Sequence, residues 1–248
     1  LGGAPLLYAV GAYGIISMLY VFVSSILITF NVVNPEIAEI LKYVQIAAIP
    51  GAVLVLFFVN FNITVEGAND NLTGAIGSVA VLKYLKDNDI RFENTEVVAL
   101  CTGSEETGLR GSKDFIKKHS EEFSDVETIF IALDTIRDYD FMGIYNKDMS
   151  GIVKNDPEVC NLLREAGNIA GLENLPYLTV SLGATDAAAV SKSKKFKAAA
   201  FAAMDPAPAR YYHTRLDTHE NLDMKTMEAC LDVCLNTLFL YDEKGLDV

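Results

Sequence analysis

No charged residue occurs in the first 35 positions of this 248-residue chain, and that gap constrains the fold more than any other feature. Pro5 to Phe30 is a nearly unbroken apolar stretch of 26 residues. A helix of that length, rising about 1.5 Å per residue, crosses the roughly 30 Å hydrocarbon core of a bilayer. A second uncharged window, Tyr43 to Val65, holds the dense run Ala52 to Val59. Glu36, Glu39 and Lys42 lie between the two, so residues 31–42 read as a short solvated loop. A cleaved signal peptide fits poorly, because no basic region precedes the first run, that run is too long, and one signal does not account for two runs. Length also argues against a buried soluble helical pair. Residues 1–65 are therefore expected to form a transmembrane helical hairpin meeting the lipid bilayer through residues 5–30 and 43–65. Lys and Arg are too sparse beside these spans for the positive-inside rule to choose a side.

From Glu66 onward the composition becomes that of a water-facing domain, expected over residues 66–248, where β-branched apolar runs alternate with segments of helical period. Strands are expected at Thr95–Cys101, Thr128–Leu133 and Phe196–Ala203. Helices are expected from Leu72 to Leu82 and at Gly111–Lys118, Pro157–Ala170, Ala184–Ser191 and Met224–Tyr241. This alternation predicts an α/β fold, a three-layer sandwich whose central sheet is mostly parallel or mixed, with ligands gathering at the carboxyl ends of its strands. The net charge of −13 argues against nucleic acid as a partner, since phosphate binding needs clustered Lys and Arg. Cys101, Cys160, Cys230 and Cys234 form no C-x-x-C pair and read as core thiols.

Four polar clusters follow expected strands or occupy loops: Gly67-Ala68-Asn69-Asp70-Asn71, Glu105-Glu106, Asp134, and the segment Tyr211–Thr218 around His213. Adjacent carboxylates after a strand point in different directions, so one can hold a cation while its neighbour handles a proton. Carboxylates with one imidazole suit zinc, manganese or cobalt. Taken singly, each member has a plainer reading. Asp70 reads as a helix cap, Glu105 and Glu106 as first-turn acids, Asp134 as a turn residue and His213 as a backbone-bonded loop histidine. His119 sits in a charged run, and His219 in a polar approach to the last helix. Asn62-Ile63-Thr64 and Asn71-Leu72-Thr73 match glycosylation sequons and are read as chance.

In order along the chain, Gly67-Ala68-Asn69-Asp70-Asn71 with Gly74, Gly103-Ser104-Glu105-Glu106 with Gly108–Ser112, Leu133-Asp134, and Tyr212-His213-Thr214 with Asp217-Thr218 resemble the M28 family of zinc aminopeptidases and carboxypeptidases. The resemblance spans about residues 66–241. It implies that Asp70 bridges two zinc ions, that Glu106 and His213 complete one of them, that Asp134 binds the other, and that Glu105 is the general base and acid. A shared carboxylate holds such ions about 3.5–4 Å apart. Asp217 would orient His213 or serve a turn. Gly183-Ala184-Thr185-Asp186 lies where the family often has Ser-Asp-His near the substrate, and Ala187 stands in place of that histidine. The resemblance implies an exopeptidase with a peptide substrate, an aminopeptidase first, and the two apolar spans would anchor it to the membrane.

The family's first ligand, a histidine in a His-x-Asp motif ahead of the bridging aspartate, has no counterpart, since no histidine precedes His119. One expectation is that the chain, which starts at Leu1 without Met, is the C-terminal part of a longer protein lacking its first strands here. The hairpin would then be inserted between the His-x-Asp strand and Gly67, and two zinc ions would bind. A second is one zinc held by Asp70, Glu106 and His213, as in the glutaminyl cyclases, whose fold resembles M28. A third is a non-catalytic membrane binding protein that reuses the fold.

Overall fold

The computed structural model describes residues 3–58, 64–181, 183–205 and 211–248. The chain falls into two compact units that part between Thr64 and Val65.

In the first unit, helices α1 (Gly3–Thr29) and α2 (Pro35–Phe58) pair in antiparallel fashion. The turn between them is shorter than expected. Glu36, Glu39 and Lys42 belong to the first turns of α2 rather than to a loop over residues 31–42, because Asn34 accepts the Ile37 amide and starts the helix early. Residues 59–63, the end of the second apolar window, lie outside the described residues. The seam between the helices is small and polar. Ser17 and Ser24 are buried there, and a Cβ on Gly51 would sit 2.3 Å from Ser17 Oγ, so the helices touch at a distance only glycine permits. Gln45 donates to Ser24 Oγ at 2.8 Å and to Ser25 Oγ at 3.1 Å. Tyr13 and Tyr20 donate to the carbonyls of Ala47 and Leu41. Ile16, Phe22, Val23, Ile40 and Ile46 point outward and are exposed. Both helices are long and apolar enough to cross a membrane, and only 17% and 11% of the two spans is buried, so neither is a core helix of this chain.

The second unit is a mixed five-stranded sheet between two helical layers. It comprises α3 (Thr73–Asp87), α4 (Arg110–His119), β1 (Ile129–Ile136), β2 (Met142–Asp148), β3 (Val153–Lys154), α5 (Pro157–Ile169), β4 (Tyr177–Thr179), α6 (Asp186–Ser193), β5 (Lys197–Ala203) and α7 (Met224–Lys244). The strand order is β1-β5-β2-β3, with β4 also pairing β2. β1 and β5 run parallel, and β2 lies antiparallel to β5. Strand period divides β5 between two cores: Ala199, Phe201 and Ala203 pack under α3, α5 and α7, while Ala198 and Ala200 pack under α4 and α6. Small side chains let helices approach both faces of this strand. Helix starts follow local chemistry, as where Asp156 accepts the amides of Glu158 and Val159 ahead of Pro157 and α5.

Two expectations need correction. Thr95–Cys101 joins no ladder among the described residues, although its burial alternates residue by residue as in an extended chain. An apolar run of strand period becomes a strand only where a neighbour supplies the other half of the hydrogen bonds. Conversely, β2, β3 and β4 were not anticipated, because Met142-Gly-Ile-Tyr-Asn-Lys-Asp is short and mixed in polarity and its strand character comes from β5 alongside. Cys160, Cys230 and Cys234 are buried and free, while Cys101 is exposed rather than in the core.

Candidate metal centre

The candidate site forms past the carboxyl end of β1. There the strand bulges between Asp134 and Ile136, and Thr135 takes φ 52°, which re-aims the side chains at the strand end. Ahead of α3 the chain makes a kinked turn, Ala68–Leu72, in which Asp70 and Asn71 leave helical geometry. Asn71 fastens that turn to β1: its amide donates to the Leu133 carbonyl at 2.8 Å, and its oxygen accepts the amides of Gly74 and Thr135. Gly74 is required by the same contact, since a Cβ there would lie 2.1 Å from the Leu133 carbonyl oxygen. With its amide so engaged, Asn71 is built into the turn.

Glu105 and Glu106 are not first-turn acids. They occupy a tight turn closed by Gly108 and Leu109 amides on the Glu105 carbonyl, and α4 begins only after Leu109, in left-handed conformation at φ 57°. Thr102 Oγ1 donates to Asp186 and ties this segment to the start of α6. His213 itself has φ 56°, within a loop over residues 211–221. Non-glycine residues in this region cost of order 1–3 kcal/mol each unless the surroundings hold them, and such residues concentrate at functional sites.

Asp70, Glu106 and His213 come together: each offers one ligand atom, and these atoms lie within 4.8 Å of one another. His213 Nε2 is 2.9 Å from Glu106 Oε1 and 3.1 Å from Asp70 Oδ2. The Tyr212 ring stacks on the imidazole, centroids 3.9 Å apart. Asp134 falls outside that group of three but shares its electrostatic field. Burial, followed by the charges of Asp70 and Glu105, holds the Asp134 carboxyl well above its ordinary range. Burial, followed by Asp186 and Glu106, pushes the Glu105 carboxyl up to about 7. Burial likewise raises Glu106, opposed by His213. Contact with the Asp70 carboxylate raises His213, helped by Glu106 and opposed by burial.

The residues fit a divalent cation. One oxygen of Asp186 is buried without a hydrogen-bond donor, and Asp70 Oδ2 is buried against the His213 ring nitrogen. Carboxyls crowded until they keep protons mark a place of uncompensated negative potential, which a bound cation reverses. Two carboxylates and one imidazole at mutual ligand distances form an O/N set that zinc accepts.

The remaining candidates fall elsewhere. Asp217 does not reach His213; its carboxylate accepts the amides of Asn69 at 2.6 Å and Asp70 at 3.0 Å, so it serves the Asp70 turn instead. His219 pairs with Glu66 at 2.9 Å, and exposed His119 with Glu122. Ala187, where the family often carries histidine, lies in α6 and is buried in the core. Asp186 and Tyr212 stood within the motifs that carry the resemblance, without a role of their own; Arg137, three residues past Asp134, belonged to none of them.

This fold is shared with zinc aminopeptidases. Three solved structures resemble the chain: the zinc aminopeptidase BSAP from Bacillus subtilis (20% identity, TM-score 0.56), the aminopeptidase LapA of Legionella pneumophila (17%, 0.57) and a glutaminyl cyclase from an Acidobacteriales bacterium (17%, 0.51). They cover 71%, 71% and 68% of this chain, which spans 42%, 46% and 61% of theirs. The model of peptidase family M28 matches residues 55–238, and the chain belongs to that family. No curated protein matches it.

Proposed function

We propose that this chain is the catalytic part of a zinc-dependent exopeptidase, an aminopeptidase, held to a lipid bilayer by α1 and α2. The observation that carries the reading is the convergence of Asp70, Glu106 and His213 from three distant segments. Asp70, Glu106 and His213 would hold one zinc ion, and Asp70 with Asp134 a second where the full protein supplies a further ligand. Bound zinc supplies Lewis acidity toward the scissile carbonyl and acidifies the attacking water. Glu105, outside the ligand group and poised near neutrality, accepts the proton of that water and delivers it to the leaving amine. Tyr212 covers one face of the His213 ring and restricts its rotation. The bilayer assignment is supported by the inverted hairpin, polar at its seam and apolar outside.

Zinc analysis combined with turnover of aminoacyl-arylamides tests this reading. Glu105→Gln is expected to keep its zinc and lose about 10²–10⁴-fold in rate; full turnover with zinc retained refutes the assigned base.

A second reading, a single-zinc glutaminyl cyclase, is favoured by the position of Asp134 outside the group of three. It requires one zinc per chain and release of ammonia from peptides with N-terminal Gln.

A further inference from the structure

Three segments carry the candidate ligands Asp134, His213 and Asp70, and a closed circuit of contacts joins them. Asp217, four residues beyond His213 and 2% exposed, takes the amides of Asn69 and Asp70 on its two carboxylate oxygens, while its carbonyl receives the Ala68 amide at 3.5 Å. One residue of the His213 loop thus holds three consecutive amides of the Asp70 turn. Arg137, three residues past Asp134, grips the same loop at both ends. Its guanidinium lies 3.5 Å from the Tyr211 ring centroid, its Nε donates to the Asn221 carbonyl at 2.6 Å, and its remaining edge meets Asp138. Asn71 closes the circuit back onto Leu133 and Thr135. Glu106 stands outside this ring, on a turn tied to α6 through Thr102.

We propose that Asp217 and Arg137 are positioning residues that hold the Asp70 turn and the His213 loop in register with the end of β1, setting the distance between Asp70 and His213. The proposal deepens the metallopeptidase reading and rests on it. A carboxylate takes two parallel N–H donors, one on each oxygen, whereas its isosteric amide keeps one oxygen and turns an NH2 donor toward the second backbone amide. A guanidinium both stacks on a ring and donates in its own plane, which an ammonium does not reproduce.

The test uses the full chain in detergent micelles with two measurements. In zinc-free protein, hydrogen exchange at the Asn69 and Asp70 amides is expected to accelerate at least tenfold in Asp217→Asn. Zinc titration against a chromophoric chelator is expected to show a dissociation constant about 10–100-fold weaker in Asp217→Asn and in Arg137→Lys, which keeps its charge but loses the planar fork. Unchanged exchange in Asp217→Asn overturns the proposal, and so does faster exchange with wild-type zinc affinity. Should Asp217→Asn fail to fold, wild-type zinc affinity in Arg137→Lys overturns it. A wild-type chain that binds no zinc refutes the metallopeptidase function instead, and the exchange measurement, which needs no metal, then decides whether Asp217 holds the turn.

Discussion

The two units of this chain place the same kinds of side chain in opposite positions. In the hairpin, Ser17 and Ser24 are buried at the seam while Ile16, Phe22 and Ile46 face outward; in the α/β unit, Phe201, Ile144 and the alanines of β5 are buried. The buried side of an element is therefore not a property of its residues alone. Water drives apolar groups inward, whereas lipid tails are as apolar as leucine and leave close packing and hydrogen bonds to hold helices together. A polar seam beneath a broad apolar surface is the pattern that the proposed place of the hairpin in a bilayer would require.

The largest expected effect breaks the comparison on its water side. Phe201→Ala should destabilise the α/β unit by about 3–5 kcal/mol, because a fully buried ring leaves a cavity between sheet and helices; denaturant unfolding measures it. Phe22→Ala, at an outward position, should leave that transition unchanged, and an equal loss from both would show that the hairpin follows the same rule as the core. Gly51→Val should come next. A side chain there meets Ser17 and costs about 1–3 kcal/mol of helix pairing, read as reduced energy transfer between labels on α1 and α2 in nanodiscs. Gln45→Leu sharpens the lipid side of the contrast. Losing its bonds to Ser24 and Ser25 should cost only about 0.6 kcal/mol in the same assay, since partners inside a membrane are replaced more cheaply than geometry suggests.

The smallest effect concerns charge at the water-facing surface. Glu66 raises exposed His219 above its ordinary value of 6.5, and His219 lowers Glu66 below 4.5. A raised histidine contributes fully below 6.5 and loses that contribution as pH climbs through its folded pKa. A lowered carboxylate contributes above 4.5 and loses its share as pH falls through its folded pKa. The pair is therefore intact between those limits. Imidazole NMR titration should place His219 above 6.5, and Glu66→Gln should return it to its ordinary range.

Much of the fold was legible from periodicity. α4, α5, α7 and β5 end within three residues of their expected bounds, because amphipathic period, Asp caps and Gly or Pro punctuation act locally. Strand pairing was less legible. Thr95–Cys101 has the composition of a strand without a ladder, and β2 has a ladder without the composition. β1 runs beyond Leu133 through Asp134 to Ile136, since the polar residues at its end are held by β5 and by the turn before α3. For the site, residue types alone marked Asp70, Glu105, Glu106, Asp134 and His213 together, and only the family resemblance assigned Asp134 to a different ion from Glu106 and His213. In the structure Asp134 lies outside the group of three.

The amino-acid order by itself determined which stretches are long and apolar enough to cross a membrane, which segments repeat with helical or strand period, and which acids and histidine are suited to a divalent cation, since each follows from composition within a few residues. Only the tertiary structure decided that Asp217 serves the backbone of Asp70 rather than the ring of His213, that Arg137 grips both ends of one loop, and that Ala187 is buried. Those outcomes depend on hydrogen bonds between residues as many as 148 positions apart, whose geometry exists only after the sheet and its helical layers have packed.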